Sequence, residues 1–206
     1  MIRHILLSVI CIACMYCSPK INAEDTALTS EIRSYKLENT DTLVDIGCGD
    51  AVHDKQIASY YPNLYFVLED FPFDNKGHNI QKNLENRFKS IKHQYRFVAG
   101  REDTIPLASA TYKRVICRRT IHEFTNRQKM ASELVRILAD GGILTVIEGI
   151  PEQPGFVDPY CNKPYLTKEE IINSFPSLTV LTDTVIVYPK WKLSMINFTK
   201  KKQIIN

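Results

Sequence analysis

The segment at residues 44–50, with the sequence VDIGCGD, restricts the fold more than any other part of the chain. It joins an apolar, β-branched run to a Gly-X-Gly turn, where residues without a Cβ let the backbone bend tightly. The amide groups of such a turn can approach a ligand closely. Because Asp45 precedes the turn by two residues, the segment predicts a strand that delivers a carboxylate to a ligand-binding turn.

Two other interpretations of this turn stay open. The first is an ordinary connection from a strand to a helix, which needs glycine only for its conformation. The second is the Gly-X-Gly-X-X-Gly/Ala turn of dinucleotide-binding proteins. That turn asks for a small residue at position 52, where this chain has Val52.

Strand-like and helix-like segments alternate along most of the chain, which predicts a parallel sheet covered on both faces. We expect strands at 42–46, 64–68, 95–99, 114–117 and 143–147, and helices at 28–37, 53–61, 76–91, 127–138 and 167–175. Asp140, Gly141 and Gly142 are expected to end the fourth helix. Two last strands, at 178–188 and 192–199, are joined by so short a turn that they must be antiparallel. The pattern predicts an α/β fold, a doubly wound, mostly parallel seven-stranded sheet with a C-terminal antiparallel hairpin.

The first 23 residues differ from the rest of the chain. A basic start at Arg3 and His4 precedes the apolar run 5–16, and Ala23 precedes an acidic pair, which is the layout of a secretory signal. The run is too short for a comfortable membrane span. Residues 12–14 are also similar to the end of a bacterial lipoprotein signal, with Cys14 as the lipid acceptor. We therefore expect a signal peptide or membrane/lipoprotein leader at 1–23 and one domain at 24–206.

Composition narrows the remaining possibilities. The 206 residues carry a formal net charge of +3 without a long basic run, so nucleic acid is not favoured as a partner. Outside the leader only Cys48, Cys117 and Cys161 remain, and this set has neither a disulfide framework nor the spacing of metal ligands. The body thus has the character of an intracellular domain, whereas the leader indicates export or membrane association, in the periplasm or the cell envelope. The cytoplasm is the alternative location.

Four stretches together resemble the class I S-adenosylmethionine-dependent methyltransferases, over roughly residues 28–200. They are VDIGCGD at 44–50, YFVLEDFP at 65–72, FVAGREDTIPL at 97–107 and ELVRILADGGILTVIE at 133–148. The resemblance implies a Rossmann-like methyltransferase fold, S-adenosylmethionine as the cofactor and methyl transfer as the activity. The last stretch, a helix followed by a Gly-Gly turn and the fifth strand, is expected to be scaffold.

The same resemblance implies a set of cofactor-binding residues. A carboxylate at the end of the second strand would bind the ribose hydroxyls, because it accepts two hydrogen bonds in fixed geometry. Two departures from the family pattern stand out: Ala51 replaces a third glycine, and Arg101 stands where an aspartate near the adenine is frequent. The turn is expected to tolerate Ala51 if its φ is negative. The implied residues are Asp45, Gly47, Cys48, Gly49, Glu69, Asp70, Glu102 and Arg118.

The loop after the fourth strand, CRRTIHEF at 117–124, is the place to look for catalytic residues, because ligands bind at the carboxyl ends of the strands in such sheets. His122 is a candidate general base, and Glu123 is a candidate to orient it or a cationic substrate. Alternatively, both residues lie at the start of the next helix, where an acid favours the dipole. Arg118 and Arg119 are candidates to bind a carboxylate of the cofactor or the substrate, or alternatively have a solvated or sheet-edge role.

Other segments give weaker predictions. The proline-rich loop 151–164 is expected to be either a substrate lid or a rigid connection. His53, His78 and His93 are expected at the surface. No metal is expected.

Two functional hypotheses remain. The first is methyl transfer to a small-molecule acceptor by a monomer or homodimer, with a possible membrane tether through the leader. The second is an exported methyltransferase-like domain that is non-catalytic or repurposed and has lost cofactor turnover.

Overall fold

The structure is a computed structural model that describes residues 23–74, 76–89, 93–151, 153 and 155–201. The predicted leader, apart from Ala23, lies outside the described residues, so the leader and the localisation inferred from it stay predictions. None of the helices within the described ranges is both long and apolar enough to cross a membrane.

Strands and helices alternate as the sequence predicts. The strands are Thr42–Ile46 (β1), Tyr65–Asp70 (β2), Gln94–Ala99 (β3), Tyr112–Arg118 (β4), Leu138–Gly149 (β5), Thr179–Val187 (β6) and Lys192–Thr199 (β7). The helices are Ala23–Ser34 (α1), Val52–Tyr60 (α2), Ile80–Lys89 (α3), Arg127–Ile137 (α4) and Lys168–Asn173 (α5), with a 3₁₀ turn at Ile121–Glu123.

The strands form one seven-stranded sheet in the order β3-β2-β1-β4-β5-β7-β6. Strands β1 to β5 are parallel to one another, and β7 runs antiparallel to both β5 and β6. The predicted fold class and the C-terminal antiparallel hairpin are therefore confirmed.

Both faces of the sheet are buried. Neighbouring residues of a strand point to opposite faces, and in β1 Leu43 belongs to one apolar cluster while Val44 belongs to the other. Helices α2 and α3 add Ile57 and Leu84 to the first cluster, and α4 adds Leu134 to the second. The apolar runs of the central strands follow from this two-sided covering.

The connection between α4 and β5 differs from the prediction. Helix α4 ends at Ile137, and β5 already begins at Leu138, so Gly141 and Gly142 lie inside the strand rather than at a helix end. Tyr112 of β4 pairs with Leu138, but Arg114 pairs with Ile143, which makes this part of β5 a bulge. Gly141 has a φ of 72° there, a value that favours glycine.

The sheet order places the β1 turn at a crevice. Strand β1 lies between β2 and β4, where successive strands begin to add on the opposite side. Ligands bind to such sheets outside the carboxyl ends of the strands at this switch point. The fold therefore directs attention to the residues that follow β1, β2 and β4.

Candidate functional site

The carboxyl ends of β1, β2 and β4 surround a cleft of about 980 Å³. Its walls come from the turn after β1, the end of β2, the segment after β3, the segment after β4 and the loop at 158–161. Of the eight residues implied as cofactor ligands, seven line it: Gly47, Cys48, Gly49, Glu69, Asp70, Glu102 and Arg118.

The glycine turn is held by the end of β2. The amides of Gly47 and Cys48 both donate to the Glu69 carbonyl oxygen, at 2.8 and 3.1 Å, and the Gly49 amide donates to Asp70 Oδ2 at 2.7 Å. A Cβ on Gly47 would lie 2.2 Å from Thr120 Cγ2, so only glycine fits there. At Gly49, by contrast, a Cβ would meet no other atom of the described chain within 4 Å. The turn is thus packed on one side and open on the other.

The two acids that end β2 have different environments. Both carboxylate oxygens of Asp70 accept backbone hydrogen bonds, from Gly49 and Phe71, each at 2.7 Å. Asp70 therefore orders the turn. Glu69 is only 4% exposed, and burial together with the charge of Asp70 raises its pKa to about 8. A Cβ at position 100 would lie 2.2 Å from Glu69 Oε1, so the absence of a side chain at Gly100 leaves space for this carboxyl group.

Asp45 does not contribute to the cleft wall in the way the sequence suggested. Its side chain is buried beside Asp54 of α2, which is fully buried as well. Burial and the neighbouring Asp54 raise the pKa of Asp45 well above its ordinary value, and burial raises the pKa of Asp54 to about 6. In the described structure Asp45 Oδ1 has no hydrogen-bond partner. The two acids therefore form a buried pair close to the turn.

Arg118 lines the cleft, but its charge is already balanced. Its Nε and Nη2 donate to the two carboxylate oxygens of Glu31 in α1, at 2.7 and 3.4 Å. Burial by itself raises the pKa of Glu31, but the charges of Arg118 and His53 lower it to about 2. The predicted role of Arg118 as a carboxylate ligand therefore has a competitor in α1, because Glu31 occupies the same face of the guanidinium group.

His53 is not a surface residue, so that prediction was wrong. Its Nε2 lies 2.7 Å from the Tyr35 hydroxyl and 3.3 Å from Glu31 Oε1, because α1 packs over the start of α2. Burial lowers its pKa to about 4. His93 is also partly covered, with its ring 5.9 Å from that of Phe66. His78 is exposed as expected.

His122 forms a buried pair with an acid of the neighbouring strand. Its Nδ1 lies 2.7 Å from Glu148 Oε2, and the other oxygen of Glu148 accepts the Gly149 amide at 2.8 Å. Because a carboxylate only accepts, Nδ1 carries the proton. The second ring nitrogen, Nε2, has no hydrogen-bond partner among the described residues, although His122 is only 2% exposed.

The position of Glu123 combines both sequence interpretations. It lies with His122 on the 3₁₀ turn that precedes α4, yet its side chain lines the cleft. Partial burial raises its pKa. The catalytic roles of His122 and Glu123 stay predictions.

The loop after β5 forms the wall opposite the glycine turn. Asp158 is buried and accepts from Arg119 Nη2 at 3.4 Å, from the Tyr160 amide at 2.7 Å and from the Tyr165 hydroxyl. Tyr160 and Cys161 face the cleft. The loop therefore contributes to the cleft wall, and the choice between a substrate lid and a rigid connection stays a prediction.

Sequence reasoning missed several residues that build this site. Glu148 carried a usable signal, since it directly follows the predicted strand 143–147, at the carboxyl end of β5. Glu31 and Asp54 carried none, because their partners lie on other elements and nothing in the surrounding sequence marks a buried acid. The missed residues are Glu31, Asp54, Gly100, Thr120, Glu148 and Asp158.

Comparison with known proteins supports the interpretation of the fold. The profile of a family described as a methyltransferase domain matches residues 37–172. No curated protein shows significant similarity to the chain.

Several solved structures share the fold. An S-adenosylmethionine-dependent methyltransferase from Aquifex aeolicus has 15% identity and a TM-score of 0.67, covering 84% of this chain and 89% of its own. A putative methyltransferase from Bacillus halodurans C-125 has 15% identity and a TM-score of 0.69, covering 86% of this chain and 100% of its own. The [4+2]-cyclase SpnF has 14% identity and a TM-score of 0.69, covering 85% of this chain and 80% of its own.

At these identities the structural likeness shows the fold alone, and SpnF illustrates that one fold serves different reactions. The family match spans most of the chain and includes the glycine turn, the acids of β2 and the loop after β4. The chain therefore belongs to the methyltransferase domain family, within the class I S-adenosylmethionine-dependent methyltransferases, and its cofactor is S-adenosylmethionine.

Proposed function

We propose that this protein transfers the methyl group of S-adenosylmethionine to a small-molecule acceptor. The observation that carries the proposal is the single cleft in which the open glycine turn, the buried Glu69 and several exposed aromatic side chains meet. Its volume, about 980 Å³, falls within the range of small-molecule sites and leaves space for an acceptor beside the cofactor.

The residues of the cleft fit the cofactor. Gly49 leaves open space at the turn, where the methionine part can approach the backbone closely. Glu69 lies at the end of β2 with its carboxyl group in the cleft, and it would hold the ribose hydroxyls. When bound, the sulfonium supplies the methyl group and the driving force, so the protein's task is to position the reactants and exclude water.

The rim of the cleft favours an acceptor with apolar surface. Phe71, Phe73 and Tyr160 are 51%, 57% and 78% exposed, and all three line the cleft. Exposed aromatic residues gathered around one opening mark binding surfaces, because each costs hydration free energy until a ligand covers it.

The departures from the family pattern leave this cleft intact. Ala51 forms the turn although its φ is +51°, not negative as the sequence-based expectation required. Arg101 is exposed and lies on the wall of the cleft. A repurposed domain without cofactor is for these reasons not favoured.

The first test measures binding of S-adenosylhomocysteine, the demethylated product, by calorimetry. We expect one site per chain, and the Glu69→Gln variant is expected to bind about tenfold more weakly, since each hydrogen bond lost to the ribose costs about 0.5–1.5 kcal/mol. Glu85→Gln is the control, because Glu85 is exposed on α3 away from the cleft. The proposal would be refuted if neither the cofactor nor its product gave binding heat or a thermal shift.

A second measurement addresses the acceptor. The protein is incubated with methyl-labelled S-adenosylmethionine and a cell extract, which is then separated by mass. Label in the low-mass fraction supports a small-molecule acceptor. Label confined to protein or nucleic acid overturns that part of the proposal and leaves cofactor binding standing.

A further inference from the structure

We propose that His122, Glu123 and Cys161 form a binding site for a transition-metal ion of the zinc type. One ligand atom from each residue lies within 4.8 Å of the other two. The spacing along the chain gave no sign of this, because Cys161 lies on the loop after β5 while the other two lie on the turn after β4. The fold brings an imidazole nitrogen, a carboxylate oxygen and a thiol sulfur to one point.

The strongest argument is the free nitrogen of His122. A buried polar atom without a hydrogen bond costs free energy, and such atoms are rare in native proteins. Nε2 is such an atom among the described residues, in a side chain that is 1% exposed. A metal ion would use its lone pair and remove that cost.

The other nitrogen of His122 is held as in many metal sites. Nδ1 lies 2.7 Å from Glu148, and Glu148 is fixed in turn by the Gly149 amide. A carboxylate that accepts from one ring nitrogen fixes the tautomer and turns the second nitrogen toward the ion. Tyr165 also packs edge-on against the ring, with centroids 5.0 Å apart, which restricts its rotation.

The geometry needs only a small adjustment. In a tetrahedral zinc site, bonds of 2.0–2.3 Å place the ligand atoms about 3.3–3.8 Å apart. Closing from the present separation requires shifts of about 1 Å, which are open to Glu123 and Cys161 because both side chains are solvent-accessible. Mixed nitrogen, oxygen and sulfur ligands suit zinc, whereas magnesium and calcium prefer oxygen alone.

Two cations, Lys163 and Arg119, lie near the site, against the three acids Glu123, Glu148 and Asp158. Lys163 donates through Nζ to the backbone carbonyl of Glu123, and Arg119 pairs with Asp158. Glu123 and Glu148 add negative charge next to His122. This balance favours a cation between the three ligands.

Three protein ligands leave one coordination position open, as in catalytic zinc sites. Glu123 and Cys161 both line the cleft, so the open position faces the space beside the cofactor. An acceptor thiol or hydroxyl would fit there. That extension rests on the proposed function, whereas the metal site does not.

The test is zinc binding by the purified full chain after removal of metal with a chelator. Zinc is titrated in competition with a chromophoric chelator, and the C11S/C14S/C17S form is measured in parallel because those three cysteines can also bind metal. We expect one zinc per chain in the triple variant. Glu148→Gln should weaken binding about 10- to 100-fold, and Cys161→Ser, Glu123→Gln and His122→Gln at least as much. His78→Gln and Cys48→Ser, which lie outside the ligand set, should leave zinc affinity unchanged.

Cobalt(II) gives an independent readout. Bound to the triple variant, it should produce a thiolate-to-metal charge-transfer band that Cys161→Ser abolishes and Cys48→Ser retains. If His122→Gln fails to fold, Glu123→Gln and Cys161→Ser decide, because their side chains are accessible. Absence of stoichiometric zinc, or equal affinity in Cys161→Ser and its control, overturns the metal site. Calorimetry with S-adenosylhomocysteine on the same samples reports on the proposed function separately.

Discussion

The carboxyl group of Glu69 is buried next to Asp70, and this position destabilises the cofactor-free protein. Its pKa is about 8 in the folded protein, because of burial and of Asp70, against an ordinary value of 4.5. Between these values the folded form keeps a proton that the unfolded form has released. The free energy of unfolding contributed by this residue therefore falls as the pH rises from 4.5 to 8. Binding sites tolerate such costs because the ligand needs the group.

We predict that Glu69→Gln stabilises the cofactor-free protein at neutral and basic pH. The amide has no charge to bury, so the free energy of unfolding should rise by about 4 kcal/mol at pH 8 and change little at pH 4.5. Urea unfolding at the two pH values measures this, with Glu85→Gln as the control that should track the original protein. A variant that is less stable than the original at pH 8 would contradict the assignment.

At this scale the sequence predicts the residues of local motifs. Gly47, Gly49 and Glu69 lie next to strand ends, so their place in the cleft follows from the strand pattern. Asp45 shows the limit: its position on β1 was predictable, but Asp54 beside it comes from α2. Arg118 shows it again, because Glu31 lies 87 residues away in sequence.

Among the elements, glycine signals proved ambiguous. A Gly-Gly pair is typical of a helix end and also of a strand bulge, because both need a positive φ. Here the antiparallel partner decides: Gly141 donates its amide to the Lys200 carbonyl, beyond the end of β7, at 2.9 Å. The converse case is Ala51, which adopts a left-handed conformation at a cost of about 1 kcal/mol. Tertiary contacts override local preference at both sites.

Helix α5 begins with a capping box formed by Thr167 and Glu170. The Thr167 hydroxyl accepts from the Glu170 amide at 3.2 Å, and Glu170 Oε2 accepts from the Thr167 amide at 2.8 Å. The helix places Ile171 in the core, so loss of the cap should be felt by the whole domain.

We predict that Thr167→Ala lowers the free energy of unfolding by about 1 kcal/mol, because an amide at the helix start loses its acceptor. Thr167→Ser retains the hydroxyl and should stay close to the original protein. Chemical unfolding of the three proteins compares them directly. Equal losses in the alanine and serine variants would show that the methyl group, and not the cap, stabilises the helix.

For the whole molecule, the parallel and antiparallel directions of the strands were predictable and the role of α1 was not. Alternation of strands and helices leads to the parallel sheet, and the short turn at Pro189 leads to the antiparallel hairpin. Helix α1 precedes that pattern. Its Glu31 accepts hydrogen bonds from Arg118 at the end of β4 and from the Tyr188 hydroxyl, at 2.5 Å, in the hairpin turn. One buried carboxylate thus connects the first helix to two distant parts of the sheet.

The buried titratable residues change the free energy of unfolding in opposite directions as the pH changes. Glu31 has a pKa of about 2, so the stability it contributes is present above pH 4.5 and is lost as the pH falls toward 2. His53 is buried in its neutral form, with a pKa of about 4. The stability that it contributes is therefore lost as the pH falls from 6.5 toward 4, where the unfolded form takes up the proton first. Glu69 and Asp54, with pKa values of about 8 and about 6, cost stability as the pH rises.

We therefore predict that the cofactor-free protein is most stable at a mildly acidic pH, about 5, where Glu31 is ionised and Glu69 is still protonated in the folded form. The free energy of unfolding, measured by urea from pH 3 to pH 9, should fall on both sides of that maximum. Glu31→Gln should be destabilised by about 3–5 kcal/mol at the maximum, because Arg118 is left buried without its partner, and its acid limb should be shallower. Stability that climbs steadily from pH 5 to pH 8 would contradict the raised pKa values, since protons held only by the folded form must oppose it.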